Sequence, residues 1–487
     1  MKLFTTLTDK KFYLYLIISC LFFGIFINIE YATDTYNVLV NSAKDTVLHF
    51  IASGRFITAI FEIIIVLANI SFKYTYIISF FAAILCSSLS MYILDKLFSR
   101  DIKNQMICAL ISILTIINVF SIELWMFIEK GIMWLSILFN ILALKNLIEY
   151  FDGNKKKIFL TFIYMLLANF SYQGTVALFV ALSVVYIIKY SINFKNFIKN
   201  NFVVALCYGI PAFINFATVK FIFSNSRVSG EINIFSAINK IFESIRNMII
   251  ETYSIIPKYV FIVAFGLIIL YITIYIIKSK NTITAKIIKS LSVVYIILGV
   301  FISTMMPHIM QNTSAIWFVP RSTYALASIL GILLLYFYIN FESYNTISKI
   351  VSIIIILFLI VQFNGFQTLS IQHYQVNYMD KINSMQIKNE IEMYEKEKQI
   401  EITKVSFYRD MYPSYTYPGI KATGDINIKA FFPDWCVKYI FKYYVRENIE
   451  IIDNDSRIKE IFESKDWSFF DKEQLIFEND IVHICVF

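Results

Sequence analysis

The sequence is dominated by long apolar segments separated by short polar breaks. Twelve such segments precede residue 370, and most approach the roughly 20 residues that cross a bilayer as a helix. Helices are expected because a spanning segment must satisfy its backbone hydrogen bonds internally. The predicted spans are approximately 12–29, 56–72, 74–94, 105–122, 131–148, 158–170, 174–189, 202–223, 258–278, 287–306, 323–339 and 346–363.

Composition supports a helical membrane protein and argues against other classes. Hydrophobic residues make up 58% of the 487 residues and charged residues 16%, whereas soluble proteins contain roughly 45–50% and 25%. With 7 Pro and 13 Gly, the chain fits one helical bundle rather than a disordered or collagen-like protein. The six cysteines form no CxxC motif, and Cys436 and Cys485 could pair only in an oxidising compartment.

The charges divide the chain at about residue 370. Residues 1–370 hold 28 basic and 15 acidic residues, a net charge of +13, whereas residues 371–487 hold 15 and 20, a net charge of −5. The basic residues of the first part lie in short loops, where the positive-inside bias makes them topology signals rather than a nucleic-acid surface. The N-terminus is therefore predicted in the cytoplasm, and the loops 224–257 and 307–322 and the tail outside.

This orientation conflicts with an even number of spans, because twelve complete crossings would return the tail to the cytoplasm. Either one segment between 30 and 130 is re-entrant or miscounted, or the basic loop 95–104 is an exception to the charge rule. We predict a bundle of about 11–13 transmembrane helices over residues 1–370, with short surface helices in the external loop 30–55. Residues 371–487 are predicted to form a small α+β domain with a Lys/Glu-rich helix and C-terminal strands.

Polar residues in the external segments are the candidate site residues. Asp34 and Arg55 follow the first apolar segment; a carboxylate can accept a proton from a hydroxyl, and an arginine can bind a phosphate bidentately. Glu123 and Glu129 flank Trp125 between two apolar segments, where acids tend to be functional. Ordinary solvated loop charges and interfacial anchoring by Trp125 are the alternatives. The other candidates are Tyr172, Gln173, Arg227, His308, Trp317 and Arg321.

The absence of several motifs from the sequence narrows the chemistry. The chain contains no P-loop, no GxGxxG, no HExxH and no Cys/His spacing typical of a metal site. ATP-driven transport and zinc hydrolysis are therefore not expected. A cytosolic nucleotide-sugar site is not expected either, because the sequence shows no soluble cytoplasmic domain to contain one.

At these residues the chain resembles the membrane glucosyltransferases of serotype-converting phages and their bacterial relatives, the Gtr type II family of the wider GT-C class. The resemblance rests on an acid after the first helix, a Gly-Arg opening the second, an Asn-x-Phe-x-x-Glu stretch running to Phe-x-acid, a Tyr-Gln pair, a late Arg and an external C-terminal domain. These residues are Asp34, Gly54, Arg55, Asn118, Phe120, Glu123, Phe127, Glu129, Tyr172, Gln173 and Arg321. The chain departs from the pattern in having Thr33-Asp34 in place of paired acids and Glu129 in place of Asp.

The resemblance implies a specific reaction in a bacterial cytoplasmic membrane. A sugar, glucose by default, would move from a polyprenyl-phosphate carrier to a hydroxyl of a surface polysaccharide such as O-antigen. It implies Asp34 as catalytic base, Arg55 or Arg321 on the lipid phosphate, and Glu123 and Glu129 on sugar hydroxyls. No cofactor is assigned, and a divalent cation at the glutamates is the open alternative. A separate flippase and a donor-synthesising glycosyltransferase would supply the substrate.

Two rival functions share the polytopic layout. A flippase or exporter of lipid-linked glycans would need charges along a central path through the membrane, whereas here the acids and arginines cluster near one face. A polymerase of lipid-linked glycans would be expected to carry its large soluble loop in mid-chain rather than at the C-terminus.

Overall fold

The computed structural model describes residues 9–222, 233–309, 311–312, 316–341 and 345–486. They divide into two compact units. The membrane unit contains the N-terminal segment to Ile27, Thr46–Trp125 and Glu129–Phe366, and the tail unit contains Asn28–Asp45, Met126–Ile128 and the chain from Gln367.

Helices account for most of the described chain. They are α1 (Lys10–Phe23), α2 (Thr33–Val40), α3 (Ala43–Ala52), α4 (Phe56–Leu67), α5 (Phe72–Phe98), α6 (Gln105–Ile116), α7 (Lys130–Phe151), α8 (Lys157–Ser171), α9 (Ala177–Tyr190), α10 (Phe194–Ile222), α11 (Ile234–Ile245), α12 (Val260–Lys278), α13 (Ile283–Ile309), α14 (Tyr324–Ala327), α15 (Ile329–Asn340), α16 (Asn345–Lys398), α17 (Asp434–Tyr444) and α18 (Ser456–Glu463). The strands are β1 (Lys404–Arg409), β2 (Glu450–Ile451), β3 (Leu475–Glu478) and β4 (Ile481–Val486).

The apolar helices indicate a multi-pass membrane protein. Within the described residues, eight helical segments are long and apolar enough to cross a membrane, and a ninth results if α6 and the following 3₁₀ helix Val119–Trp125 count as one broken span. These two elements meet at a bend of 55°, so they form either a broken span or a re-entrant loop. The shorter apolar helices α4, α8 and α15 lie at the other three predicted positions, so all twelve predicted segments contain a helix.

The core of the membrane unit is formed by α5, α7 and α9. About two thirds of the apolar window of each is buried, against 28% for α10 and α13 and 17% for α12. The large apolar side chains left exposed on α10, α12 and α13 are suited to lipid contact, because their backbone polar groups are satisfied within the helices.

Small polar side chains allow α1 and α5 to pack closely. Ser87 and Ser88 of α5 both donate their hydroxyls to Ser19 of α1, at 3.0 and 3.1 Å, and all three are buried. Small residues are favoured at helix interfaces in membranes because they bring two backbones together while their hydroxyls find partners.

The tail unit contains a four-stranded sheet in the order β2-β1-β4-β3. Strand β1 pairs in parallel with β2 and β4, and β3 pairs antiparallel with β4. The predicted Lys/Glu-rich helix and C-terminal strands are confirmed, but the helix is the last part of α16, which continues unbroken from the last apolar segment.

The core of the tail unit joins segments that are far apart in sequence. Tyr36 of α2 is buried with Ile387 of α16, Phe441 of α17 and Val482 of β4. Of the two tail cysteines, Cys436 lies in this core and donates its thiol to the Thr33 carbonyl, and both Cys436 and Cys485 are free and buried. The short helices predicted in residues 30–55 are present as α2 and α3, and α2 packs against α17.

Candidate buried polar site

The starts of several helices bring charged residues together in the membrane unit. Arg55 directly precedes α4, Glu129 directly precedes α7, and Tyr172 opens the turn that leads into α9. Arg321 lies in the turn before α14. The Arg55 guanidinium lies over the Tyr172 ring, and the Arg321 segment lies against Gly174 of the same turn. Arg55 and Glu129 lie at the N-termini of α4 and α7, which carry partial positive charge.

Two ion pairs form the centre of this buried polar site. Arg321 Nη1 donates to Glu123 Oε1 at 2.8 Å, and the Arg321 backbone N–H donates to Glu123 Oε2 at 2.6 Å. Arg55 Nη1 donates to Glu129 Oε1 at 3.2 Å. Glu123 is fully buried, and the Arg321 side chain is 12% exposed. Each carboxylate therefore fixes the position of one guanidinium group.

Tyr172 lies beside the Arg55–Glu129 pair. Its buried ring lies 5.1 Å from the Arg55 guanidinium carbon, in a cation–π arrangement. Its carbonyl accepts a hydrogen bond from Ser136 of α7 at 3.0 Å, which attaches the turn to the core of the bundle.

Gly174 permits the close approach of this turn to the Arg321 segment. A Cβ at this position would lie 2.6 Å from the Tyr172 ring and 2.8 Å from the Arg321 carbonyl oxygen. Both distances are too short for a side chain. Gly174 is therefore required by the geometry of the site, in addition to its role in a turn.

Gly54 has a similar role beside Arg55. Its φ of +72° is in the left-handed region, and a Cβ would lie 2.9 Å from Gln173 Nε2. Gln173 Nε2 and Asn215 Nδ2 both donate to the Gly54 carbonyl, at 3.0 and 2.8 Å. These bonds position the segment that carries Arg55.

A third acidic residue lies close to the Arg55–Glu129 pair, and a buried lysine follows Glu129 in the sequence. Glu62 is buried on α4, close enough to Glu129 for the two charges to interact. Lys130 is fully buried, and its Nζ lies 3.5 Å from the centre of the Tyr76 ring on α5. Buried ionisable groups at membrane depth are costly, so such a concentration of them indicates a functional site.

Glu123 is positioned by the break between α6 and the 3₁₀ helix Val119–Trp125. The break frees the carbonyls of residues 115–117, which accept hydrogen bonds from Ser328, Tyr324 and Gln362 at 2.7–2.8 Å. Asn118 secures the turn by donating to Ser328 Oγ at 2.9 Å and accepting from the Phe120 backbone N–H at 2.9 Å. Irregular backbone is tolerated at membrane depth when protein groups satisfy it in this way.

The structure brings together six of the predicted site residues: Arg55, Glu123, Glu129, Tyr172, Gln173 and Arg321. His308 is buried next to this group, with Nε2 3.4 Å from the Ser322 carbonyl oxygen. Trp317 is 59% exposed on the segment leading to Arg321. Asp34 lies exposed in the first turn of α2, in the tail unit. Arg227 is outside the described residues.

The buried polar site does not match the requirements of a divalent cation. Each central glutamate is engaged by an arginine, and no group of three or more His, Cys, Asp or Glu side chains suited to a metal occurs in the described ranges. Because arginine holds the carboxylates, we assign no metal-dependent step to this site.

No protein family, curated protein or solved structure matches this chain. The site is therefore interpreted from its own geometry.

Two members of the site were missed in the sequence. Asn215 lies within an apolar segment of α10, and Lys130 follows Glu129 at the start of α7. Both could have been noticed as polar residues inside or directly beside a predicted span, since such residues usually have a functional role in a membrane protein.

Proposed function

We propose that this protein is a glycosyltransferase that moves a sugar, glucose by default, from a polyprenyl-phosphate carrier to a hydroxyl of a bacterial surface polysaccharide. The observation that carries the proposal is that Arg55 lies over the Tyr172 ring and that Gly174 brings the same turn against the Arg321 segment. A lipid-linked phosphate needs an anion site inside an apolar bundle, and two oriented guanidinium groups, one of them at the N-terminus of α4, offer one.

The leaving group explains why two arginines are needed. As the bond between the anomeric carbon and the phosphate oxygen breaks, its electron pair stays on that oxygen and negative charge increases. Donors fixed before the reaction stabilise this charge without reorganising. Glu123 and Glu129 keep the two guanidinium groups in place, and their oxygens can also accept hydrogen bonds from sugar hydroxyls.

The acceptor hydroxyl needs a base. Its oxygen attacks the anomeric carbon, its proton passes to a carboxylate, and the polyprenyl phosphate departs. We assign this base to Asp34, the acid after the first apolar segment for which the family resemblance implies this role. Tyr172 and Gln173 would line the sugar pocket, with His308 and Trp317 as further sugar contacts.

The proposed setting is a bacterial cytoplasmic membrane, with the buried polar site and the tail unit facing outward. The support is the charge distribution, since the lysine-rich loops of residues 1–370 mark the cytoplasmic face under the positive-inside bias. The reaction then needs a donor-synthesising glycosyltransferase and a flippase, because the carrier must be loaded and brought to the outer leaflet.

The test is a transfer assay on the purified full-length chain in proteoliposomes. Radiolabelled polyprenyl-phosphate glucose is supplied with a bacterial surface polysaccharide, and label in the polysaccharide is counted. We expect Arg55→Gln and Arg321→Gln each to lower the rate by about 100-fold. The matched control is Arg246→Gln, since Arg246 is an exposed arginine paired with Glu251 in the same unit. Transfer that is unchanged in both site variants would contradict the proposal.

The assignment of Asp34 is tested separately with Asp34→Asn. The variant should keep its protein level and lose the added sugar on the glycan. If the glycan is modified normally by the variant, Asp34 is not the base, whatever the outcome for the arginines.

A further inference from the structure

The sheet of the tail unit contains a topological switch point. The chain passes from β1 through α17 to β2 on one side of β1, and it later returns to β4 on the other side. Because β1 and β4 are parallel, their carboxyl ends lie at the same edge of the sheet. In open sheets of this kind, ligands bind in the crevice beyond the carboxyl ends at the point where the strand order reverses.

A cleft of about 230 Å³ lies at this edge. Arg409 and Val486, the last residues of β1 and β4, form part of its wall. Asp434 at the start of α17, Asn454, and Lys459 and Glu463 of α18 contribute its polar groups. The volume is below the roughly 300–1,000 Å³ of pockets that enclose drug-sized ligands, so the cleft suits a single ring.

The charges that line the cleft balance in two ion pairs. Arg409 Nη2 lies 2.6 Å from Asp434 Oδ1, and Lys459 Nζ lies 3.5 Å from Glu463 Oε1. A phosphate ligand would face two exposed carboxylates, unlike the buried Glu123 and Glu129 of the membrane unit, and a metal cation would face an arginine and a lysine. A neutral ligand with many hydroxyls avoids both conflicts, because each hydroxyl can donate to a carboxylate and accept from a cation.

The arginine of the cleft is held in position while remaining accessible. Arg409 Nη2 donates to the Phe432 carbonyl at 2.8 Å, and the guanidinium carbon lies 4.3 Å from the centre of the Phe432 ring. The Arg409 side chain is nonetheless 32% exposed, and that of Asp434 is 91% exposed. An oriented group that is open to solvent can bind a ligand at little entropic cost.

We propose that this cleft binds one sugar unit of a neutral glycan, with the Arg409–Asp434 and Lys459–Glu463 pairs on its hydroxyls. The role of the cleft as a subsite for the polysaccharide acceptor rests on the proposed function. Saccharide binding in the cleft is independent of the proposed function, because binding requires no transfer of a sugar.

The test is calorimetric titration of the full-length chain in nanodiscs with maltotriose, cellotriose and mannotriose as probes. We expect at least one trisaccharide to bind, and its affinity to fall by about tenfold in Arg409→Gln and in Lys459→Met, since each removes charged hydrogen-bond donors. Lys459→Met changes a half-exposed side chain and leaves β1 intact. The matched control is Lys388→Met, which alters an equivalent i,i+4 ion pair with Glu392 on α16.

Three results would overturn the proposal: no binding of any trisaccharide, equal loss in Lys388→Met, or displacement of the sugar by inorganic phosphate. The titration measures binding alone, so a failure here is distinct from a failure of sugar transfer in proteoliposomes.

Discussion

At the scale of single residues, Arg321 shows how the buried polar site obtains its rigidity. Its guanidinium and its backbone N–H bind the two oxygens of one carboxylate, Glu123, and that carboxylate is fully buried. Breaking a buried pair by removing one partner costs far more than an exposed pair contributes, because it leaves an uncompensated charge. The pair therefore acts as a fixed unit.

We expect Arg321→Lys to lose most of its sugar-transfer activity although lysine keeps the positive charge. A lysine ammonium lacks the planar fork that can hold both a carboxylate and a phosphate. Loss of a charge-assisted hydrogen bond costs about 1.5–3 kcal/mol, so transfer in proteoliposomes should fall by about 10- to 100-fold. Arg246→Lys, in an exposed pair, should retain the wild-type rate. A fully active Arg321→Lys would show that charge alone is sufficient.

Lys429 of the tail unit predicts a pH dependence of stability. The side chain is buried, and burial lowers its pKa to about 8, although Asp380 and Asp410 act to raise it. Between pH 8 and about 10.5 the unfolded chain binds more protons than the folded one, so the free energy of unfolding rises with pH in that window.

Lys429→Met removes this titration. The whole shift corresponds to about 3 kcal/mol, of which the wild-type tail should gain about 2 kcal/mol relative to the variant between pH 8 and pH 10. This window lies above the titration of the neighbouring Asp380, because burial raises the pKa of that carboxyl to about 7. Pulse proteolysis of the tail unit in the full-length chain measures the difference at each pH. Parallel stability curves for the two proteins would show that Lys429 does not titrate in this range.

Sequence reasoning at the residue scale worked best where a charge interrupted a topology pattern. Arg55, Glu123, Glu129 and Arg321 stood out because each lies next to an apolar segment. Asn215 was not predicted as a site residue, because a single amide within a span does not indicate that its partner is the Gly54 carbonyl. The pairing of Arg321 with Glu123, 198 residues apart, depends on the fold and could not be predicted from spacing.

At the scale of elements, the turn from α8 into α9 fits the site only because Gly174 has no side chain. In Gly174→Ala the new Cβ would meet the Tyr172 ring and the Arg321 carbonyl, so the Arg321 segment must move. Transfer should fall by at least about tenfold, because small displacements of fixed catalytic groups are costly.

Gly209→Ala is the matched control within α10. No heavy atom lies within 4 Å of a Cβ built there, and alanine favours a helix over glycine by roughly 0.5–1 kcal/mol. This variant should be as active as wild type and equally or more stable. Equal activity of Gly174→Ala would show that the turn is not tightly constrained.

The break after α6 is the second element that can be tested. Asn118→Ala removes hydrogen bonds to Ser328 and the Phe120 backbone, and it should lower the free energy of unfolding by about 2 kcal/mol. Asn146→Ala is the control, since that amide donates to the Leu142 carbonyl of its own helix. Reversible unfolding in mixed micelles measures both, and equal losses would contradict a special role for Asn118.

The helices themselves could be predicted from the sequence, but their breaks could not. Every predicted apolar segment contains a helix, because hydrophobic length is a local property. The bend of 55° after α6 depends on Ser328, Tyr324 and Gln362, which come from distant parts of the chain. The sequence did not decide whether a segment between 30 and 130 is re-entrant. In that range, α6 and the 3₁₀ helix Val119–Trp125 are the bent pair that could form a re-entrant loop.

At the scale of the whole molecule, the division into units differs from a simple cut near residue 370. The tail unit takes in Asn28–Asp45, because Tyr36 of α2 is buried in its core. The composition of residues 28–45 does not indicate that they belong to the tail unit, because in the sequence they lie between the first two apolar segments. The membrane unit is held together by buried serines and ion pairs as well as by apolar packing.

The most direct test of the buried polar site is native mass spectrometry of the full-length chain with polyprenyl phosphate. Wild type and Arg246→Gln should retain the lipid phosphate equally. The double variant Arg55→Gln/Arg321→Gln should lose about 100-fold in affinity, since it removes both charged phosphate contacts. Equal retention by the double variant would contradict a lipid-phosphate site between these two arginines.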